Sequence, residues 1–157
     1  MTLAEQIQKD MTEAMRAREE LRLSCLRMVK SALENKRVEK RAALDDKESQ
    51  QVLSTLIKQR KDSVEQFSKG GRQEMADKEA AEIKIIEAYL PQAVGEAEIV
   101  ATVRAAIAEM AASGTAPAMK DMGAVMKNVM AKFAAAGARV EGKVVSETVK
   151  RELTPKA

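Results

Sequence analysis

Apolar residues recur along this chain with the spacing of helix faces, broken at intervals by capping and breaking residues. Thr2 with Glu5 is a capping-box pair, and Leu3, Ile7, Met11 and Ala14 follow at helical spacing, which predicts a first helix to about residue 18. A second, about 20–41, carries an apolar face of Leu21, Cys25, Met28, Val29, Ala32 and Leu33. Asp45 and Glu48 repeat the capping signal. The helix after them bears Val52, Leu53, Leu56, Ile57, Val64 and Phe67 and is closed by Gly70-Gly71. A fourth helix, about 72–89, buries Ala76, Ala80, Ile83, Ile86 and Leu90.

The pattern then stops at YLPQAVG. Pro91 cannot continue a helix and disfavours helical geometry at Leu90, and Gly95 adds a second break. A domain boundary is expected here, between residues 1–92 and residues 95–157. Beyond it, Ile99, Val103, Ala106, Ile107 and Met110 predict a fifth helix, SGTAP at 113–117 a loop, 118–133 a methionine-rich helix, and Val145, Val149 and Leu153 a last helix near 142–153. No stretch sustains the period-two alternation of a strand. The expected fold is all-α: an N-terminal helical domain of about four helices and a small C-terminal tail domain of about three.

Composition narrows the chemistry. Among 157 residues there is no His and no Trp, with one Tyr and two Phe. That removes an imidazole base, a Ser-His or Cys-His nucleophile and an ordinary zinc site. It also disfavours a protein that stacks single-stranded bases on aromatic rings. Cys25 is the single cysteine, so no intrachain disulfide can form, in keeping with a reducing compartment. With no signal peptide or transmembrane run in the pattern, we expect a soluble cytoplasmic protein that does not engage a membrane. Net charge is +3, from 18 basic and 17 acidic residues over 1–94 and 9 and 7 over 95–157. Any charged patch must therefore come from local arrangement.

Two such arrangements stand out. On a wheel of about 100° per residue, Arg27, Lys30, Arg37 and Arg41 fall on one stripe of the second helix, interrupted only by Glu34. Lys58, Arg60 and Lys61 cluster on the third helix, with Lys69 and Arg72 near its end. Such stripes are solvated faces with local ion pairs or faces that meet an anion. The second arrangement lies in AMKDMGAVMKNVMAKF at 118–133. Met119, Met122, Met126 and Met130 share a face with Val125, Val129 and Phe133. Thioethers can ligate Cu(I), but the branched aliphatics and the lack of nearby Cys or His point to core, and no metal or cofactor is expected. Lys120, Gly123 and Lys127 share the edge of that face. Gly123 costs about 1 kcal/mol of helix propensity relative to Ala. It either lets another helix approach or leaves bare backbone between two cations, which a phosphate backbone can approach closely.

The chain resembles the YqeY-like family. The resemblance rests on LRLSCLRMVKSALENK (21–36), IKQRKDSVEQFSKGGR (57–72), EIKIIEAYLPQAVGEAEI (82–99), KDMGAVMKNVM (120–130) and VEGKVVSETVKREL (140–153), in that order, and so covers essentially the whole chain. The family's C-terminal half is similar to the tail domain of the GatB subunit of tRNA-dependent amidotransferases, which is thought to contact the tRNA body. The resemblance implies an all-helical, two-part protein, tRNA as a partner, and Lys120, Gly123 and Lys127 as the matched surface. The amidotransferase's catalytic cradle has no counterpart here, so no catalytic residue is expected. Where the family has a small residue followed by Asp-Gly, this chain has Val140-Glu141-Gly142, a longer acid at the start of the last helix. The expected function is a tRNA-binding accessory protein. The alternatives are a component of glutamine-dependent carbon–nitrogen ligase activity, with an amidotransferase as protein partner, and a helical protein–protein adaptor using an exposed methionine face.

Overall fold

The computed structural model describes residues 1–155 and is all-α. Its helices are α1 (Leu3–Ala17), α2 (Glu20–Lys40), α3 (Asp46–Lys69), α4 (Gln73–Glu87), α5 (Glu96–Ala112), α6 (Met122–Ala135) and α7 (Gly142–Leu153), with a 3-10 turn (Met119–Asp121) before α6. They form two compact units, Met1–Leu90 and the chain from Pro91 onward.

The helix starts follow from the capping residues. Thr2 Oγ1 accepts from the Glu5 N–H at 3.2 Å while a Glu5 carboxylate oxygen accepts from the Thr2 N–H at 2.8 Å. Asp45 and Glu48 make the same reciprocal pair at 2.7 and 2.9 Å. α3 ends at Gly70-Gly71: Gly71 takes φ +73°, and the Arg72 N–H turns back to the Phe67 carbonyl at 2.8 Å. α1 and α2 end on Arg18 and Arg41 in the left-handed region, φ +57° and +59°, where a glycine is the usual occupant.

In the first unit, Ile7 of α1 packs with Cys25, Leu26, Val29 and Leu33 of α2, Leu53 and Ile57 of α3, and Ile83 and Ile86 of α4. Each fully buried Leu or Ile contributes about 1.5–3 kcal/mol through loss of apolar surface to water. The α2 face is rotated from the one expected: Leu26 is buried, while Leu21 and Met28 remain 38% and 43% exposed. The Cys25 thiol is enclosed, donates weakly to the Glu82 carbonyl, and is pushed up to about 11, first by burial and then by the Glu82 carboxylate.

Arg60 departs most from the sequence expectation. It is no part of a surface cluster: its side chain is buried between helices. Its Nε donates to Glu82 at 3.0 Å, one terminal nitrogen donates to the Leu56 carbonyl at 3.1 Å, and the other donates to Met28 Sδ at 3.4 Å. Glu82 is equally enclosed. A buried pair adds little net stability, but removing one partner strands a charge in the core at a cost of about 3–5 kcal/mol.

The second unit has its own core of Ile99, Val103 and Ala106 from α5, Val125, Val129 and Phe133 from α6, and Val145, Val149 and Leu153 from α7. Arg104 forks onto Glu152 at 3.1 and 3.2 Å, tying α5 to α7. The segment after Pro91 is held by a backbone bond from the Val94 N–H to the Arg139 carbonyl at 2.8 Å. Glu141 stands at the N-cap of α7 but its carboxylate makes no capping bond. No described helix is long and apolar enough to cross a membrane.

Candidate nucleic-acid interface

The methionine stripe resolves into core and edge. Val125, Val129 and Phe133 are buried, and Met122, Met126 and Met130 pack against them half-buried. Met119 is the exception, 39% exposed. A stripe that fills its own core leaves little for the adaptor reading.

The polar edge lies open. Lys120, Gly123 and Lys127 are exposed, and neither lysine makes an ion pair or hydrogen bond among the described residues. A side chain built on Gly123 would meet nothing within 4 Å. The glycine therefore does not admit a neighbouring helix. It leaves bare backbone between two cations. One detail differs from the continuous helix expected. Lys120 belongs to the 3-10 turn, whose Asp121 carboxylate accepts from the Ala118 N–H at 2.9 Å, and α6 proper begins at Met122. Lys120 thus sits just before the first turn of α6, where the helix dipole also favours an anion, although the Asp121 carboxylate stands at the same end and the Met122 N–H is already taken by the Met119 carbonyl.

Sequence reasoning missed how far this surface runs. Ala124, Lys127, Asn128, Ala131 and Ala135 line a shallow depression of about 620 Å³ along α6, bounded by Lys132 where it meets Glu109 at 2.7 Å. The signal was there: small residues recur at helical spacing on the side opposite the valines.

The α2 stripe is less uniform than the wheel suggests. Arg27 is exposed and without a partner among the described residues. Lys30 donates to the neutral Gln8 side-chain amide at 2.6 Å, so its charge is not cancelled. Arg37 forks onto Glu34 at 2.6 and 3.0 Å, and its guanidinium holds the Glu34 carboxyl below the usual carboxylate range. Arg41 lies beyond the helix, at the left-handed cap, and so leaves the stripe. Of the second cluster, Lys69 pairs with Glu65 at 2.8 Å and Arg60 is buried, while Lys58 and Arg72 face solvent.

These features define an all-helical protein of two units with cationic helix edges. The chain belongs to the YqeY-like family, whose model, described as Yqey-like protein, matches residues 4–153. It is similar to a protein of Lachancea thermotolerans called "Altered inheritance of mitochondria protein 41, mitochondrial", with 32% identity over 154 residues, 96% of this chain and 81% of that one. A protein of the same name from Kluyveromyces lactis is 40% identical over 84 residues, 53% of this chain and 45% of that protein.

Proposed function

We propose that the chain is a tRNA-binding accessory protein that grips the phosphate backbone with the Lys120–Gly123–Lys127 edge and has no catalytic centre of its own. The carrying observation is that Gly123 is open to solvent between two lysines that have no partner among the described residues. Arg27, Lys30, Arg37 and Arg41 offer a second contact, led by Arg27, which has no partner among the described residues, with Arg41 set off from the stripe at the helix end. The family's likeness to the GatB tail supplies the polymer, and an amidotransferase is the protein partner this reading favours for carbon–nitrogen ligase chemistry. Cytoplasm is the compartment we assign, whereas the relatives' name places them in mitochondria. With so few aromatics, recognition goes through shape and phosphates rather than bases.

The test is tRNA binding by the purified protein at 50 and 200 mM salt. About four phosphate contacts correspond to a loss of roughly 100-fold in affinity across that interval. Lys120→Glu/Lys127→Glu should abolish binding with the circular-dichroism spectrum intact, and Arg27→Glu/Arg41→Glu reports on the other unit. Equal binding of tRNA and a random polyanion would overturn the reading.

A further inference from the structure

We propose that the first unit also carries a small-molecule site, a cleft between the starts of α1 and α3 and the middle of α2 that takes an aliphatic zwitterion of the α-amino-acid class. The cleft measures about 310 Å³, at the lower end of the range for small-ligand sites. Its floor is aliphatic: Leu3, Ile7, Leu33 and Leu44.

Ser49 marks it as more than a packing defect. Five polar or charged residues are buried among the described residues: Asp10, Ser49, Arg60, Glu82 and Thr148. Four have side-chain partners: Asp10 bonds Gln6 and Tyr89, Arg60 bonds Glu82, and Thr148 bonds the Val144 carbonyl. Ser49 is 6% exposed, and its hydroxyl makes no hydrogen bond within the described protein. No fully enclosed side-chain polar atom there lacks a partner, so the Ser49 hydroxyl opens onto the cleft it lines. The Ser49 side chain is thus more than nine-tenths buried while its hydroxyl reaches the cleft with only water to bond, and a ligand's polar end can take that water's place.

The rim sets the ligand's charge. Glu34 and Arg37 neutralise each other as a forked pair. That leaves Lys30, bonded only to an uncharged amide, and Asp46, with no partner among the described residues. One cation and one anion around an aliphatic floor match a molecule that carries a carboxylate, an ammonium and a hydrocarbon side chain. A simple fatty acid would leave Asp46 facing it unanswered, and a simple amine would do the same at Lys30.

This inference does not rest on RNA binding, and its variants avoid the residues assigned to RNA. The experiment is calorimetric titration of the full chain with L-leucine, hexanoate, isoamylamine and glycine. L-Leucine should saturate within roughly 10 mM, with hexanoate, isoamylamine and glycine each at least fivefold weaker. Ser49→Ala should weaken L-leucine binding at least fivefold. Ala43→Trp, an exposed rim position, should occlude the cleft and abolish binding while circular dichroism shows the helices intact. If L-leucine gives no saturable heat, if hexanoate binds as tightly, or if Ala43→Trp binds as the parent does, the site is not what we assign.

Discussion

Asp10 and Tyr89 show how one pair of side chains governs a local equilibrium. Asp10 is buried, accepting from Gln6 at 2.9 Å and from the Tyr89 hydroxyl through a short hydrogen bond. Burial, and then this bond and the Asp10 charge, push the Tyr89 phenol well above its ordinary value. A raised folded-state value favours the protonated phenol. The stabilisation is therefore complete below the unfolded value of about 10 and is lost as pH rises above it. Tyr89→Phe should cost about 1–3 kcal/mol at neutral pH, because Asp10 loses a donor. In urea titrations at increasing pH, the gap between parent and variant should narrow above pH of about 10. A gap that stays constant to pH of about 11 would remove the hydrogen bond as its source.

The same scale shows where sequence reading stops. Arg60 was legible in hindsight: Leu53, Ile57, Arg60 and Val64 follow steps of four, three and four, a core stripe with a cation in it. A wheel places a side chain around its own axis but does not say that Glu82, on another helix, waits opposite. Ser49 had no signal at all, since an unpartnered hydroxyl is a property of three helices meeting.

Helix starts and stops were the most readable elements, because each depends on residues within one turn. The capping boxes at Thr2 and Asp45 and the glycine stop after α3 stand where the sequence put them. The break between the 3-10 turn and α6 was not readable, since Lys120 and Met122 suit either geometry. At α7, the Glu141 carboxylate makes no capping bond. A shorter acid reaches the first-turn N–H groups better, so Glu141→Asp should stabilise by up to about 1 kcal/mol. For a unit of this size the corresponding Tm rise is up to roughly 4–8 °C by calorimetry, and Glu141→Ala should give no rise.

For the whole molecule, each unit has a separate hydrophobic core, one built on Leu26, Leu53 and Ile86 and the other on Val103, Val129 and Val149. Both are within the size range of autonomous domains, which begins at about 50 residues. Residues 1–90 and residues 91–157, produced separately, should each be helical and unfold cooperatively in urea. A non-cooperative transition in either fragment would show that its core is insufficient alone.

The Arg60–Glu82 pair has a consequence for alignment. α3 and α4 are consecutive helices whose apolar faces, taken alone, would tolerate sliding by a turn, since isoleucine against leucine packs much like leucine against isoleucine. With the pair enclosed, a one-turn slip would strand a guanidinium and a carboxylate in hydrocarbon, at several kcal/mol for each. The two charges thus act as a key that one register accepts. Positions 60 and 82 are free to change in descent only together, as another ion pair or as two apolar residues.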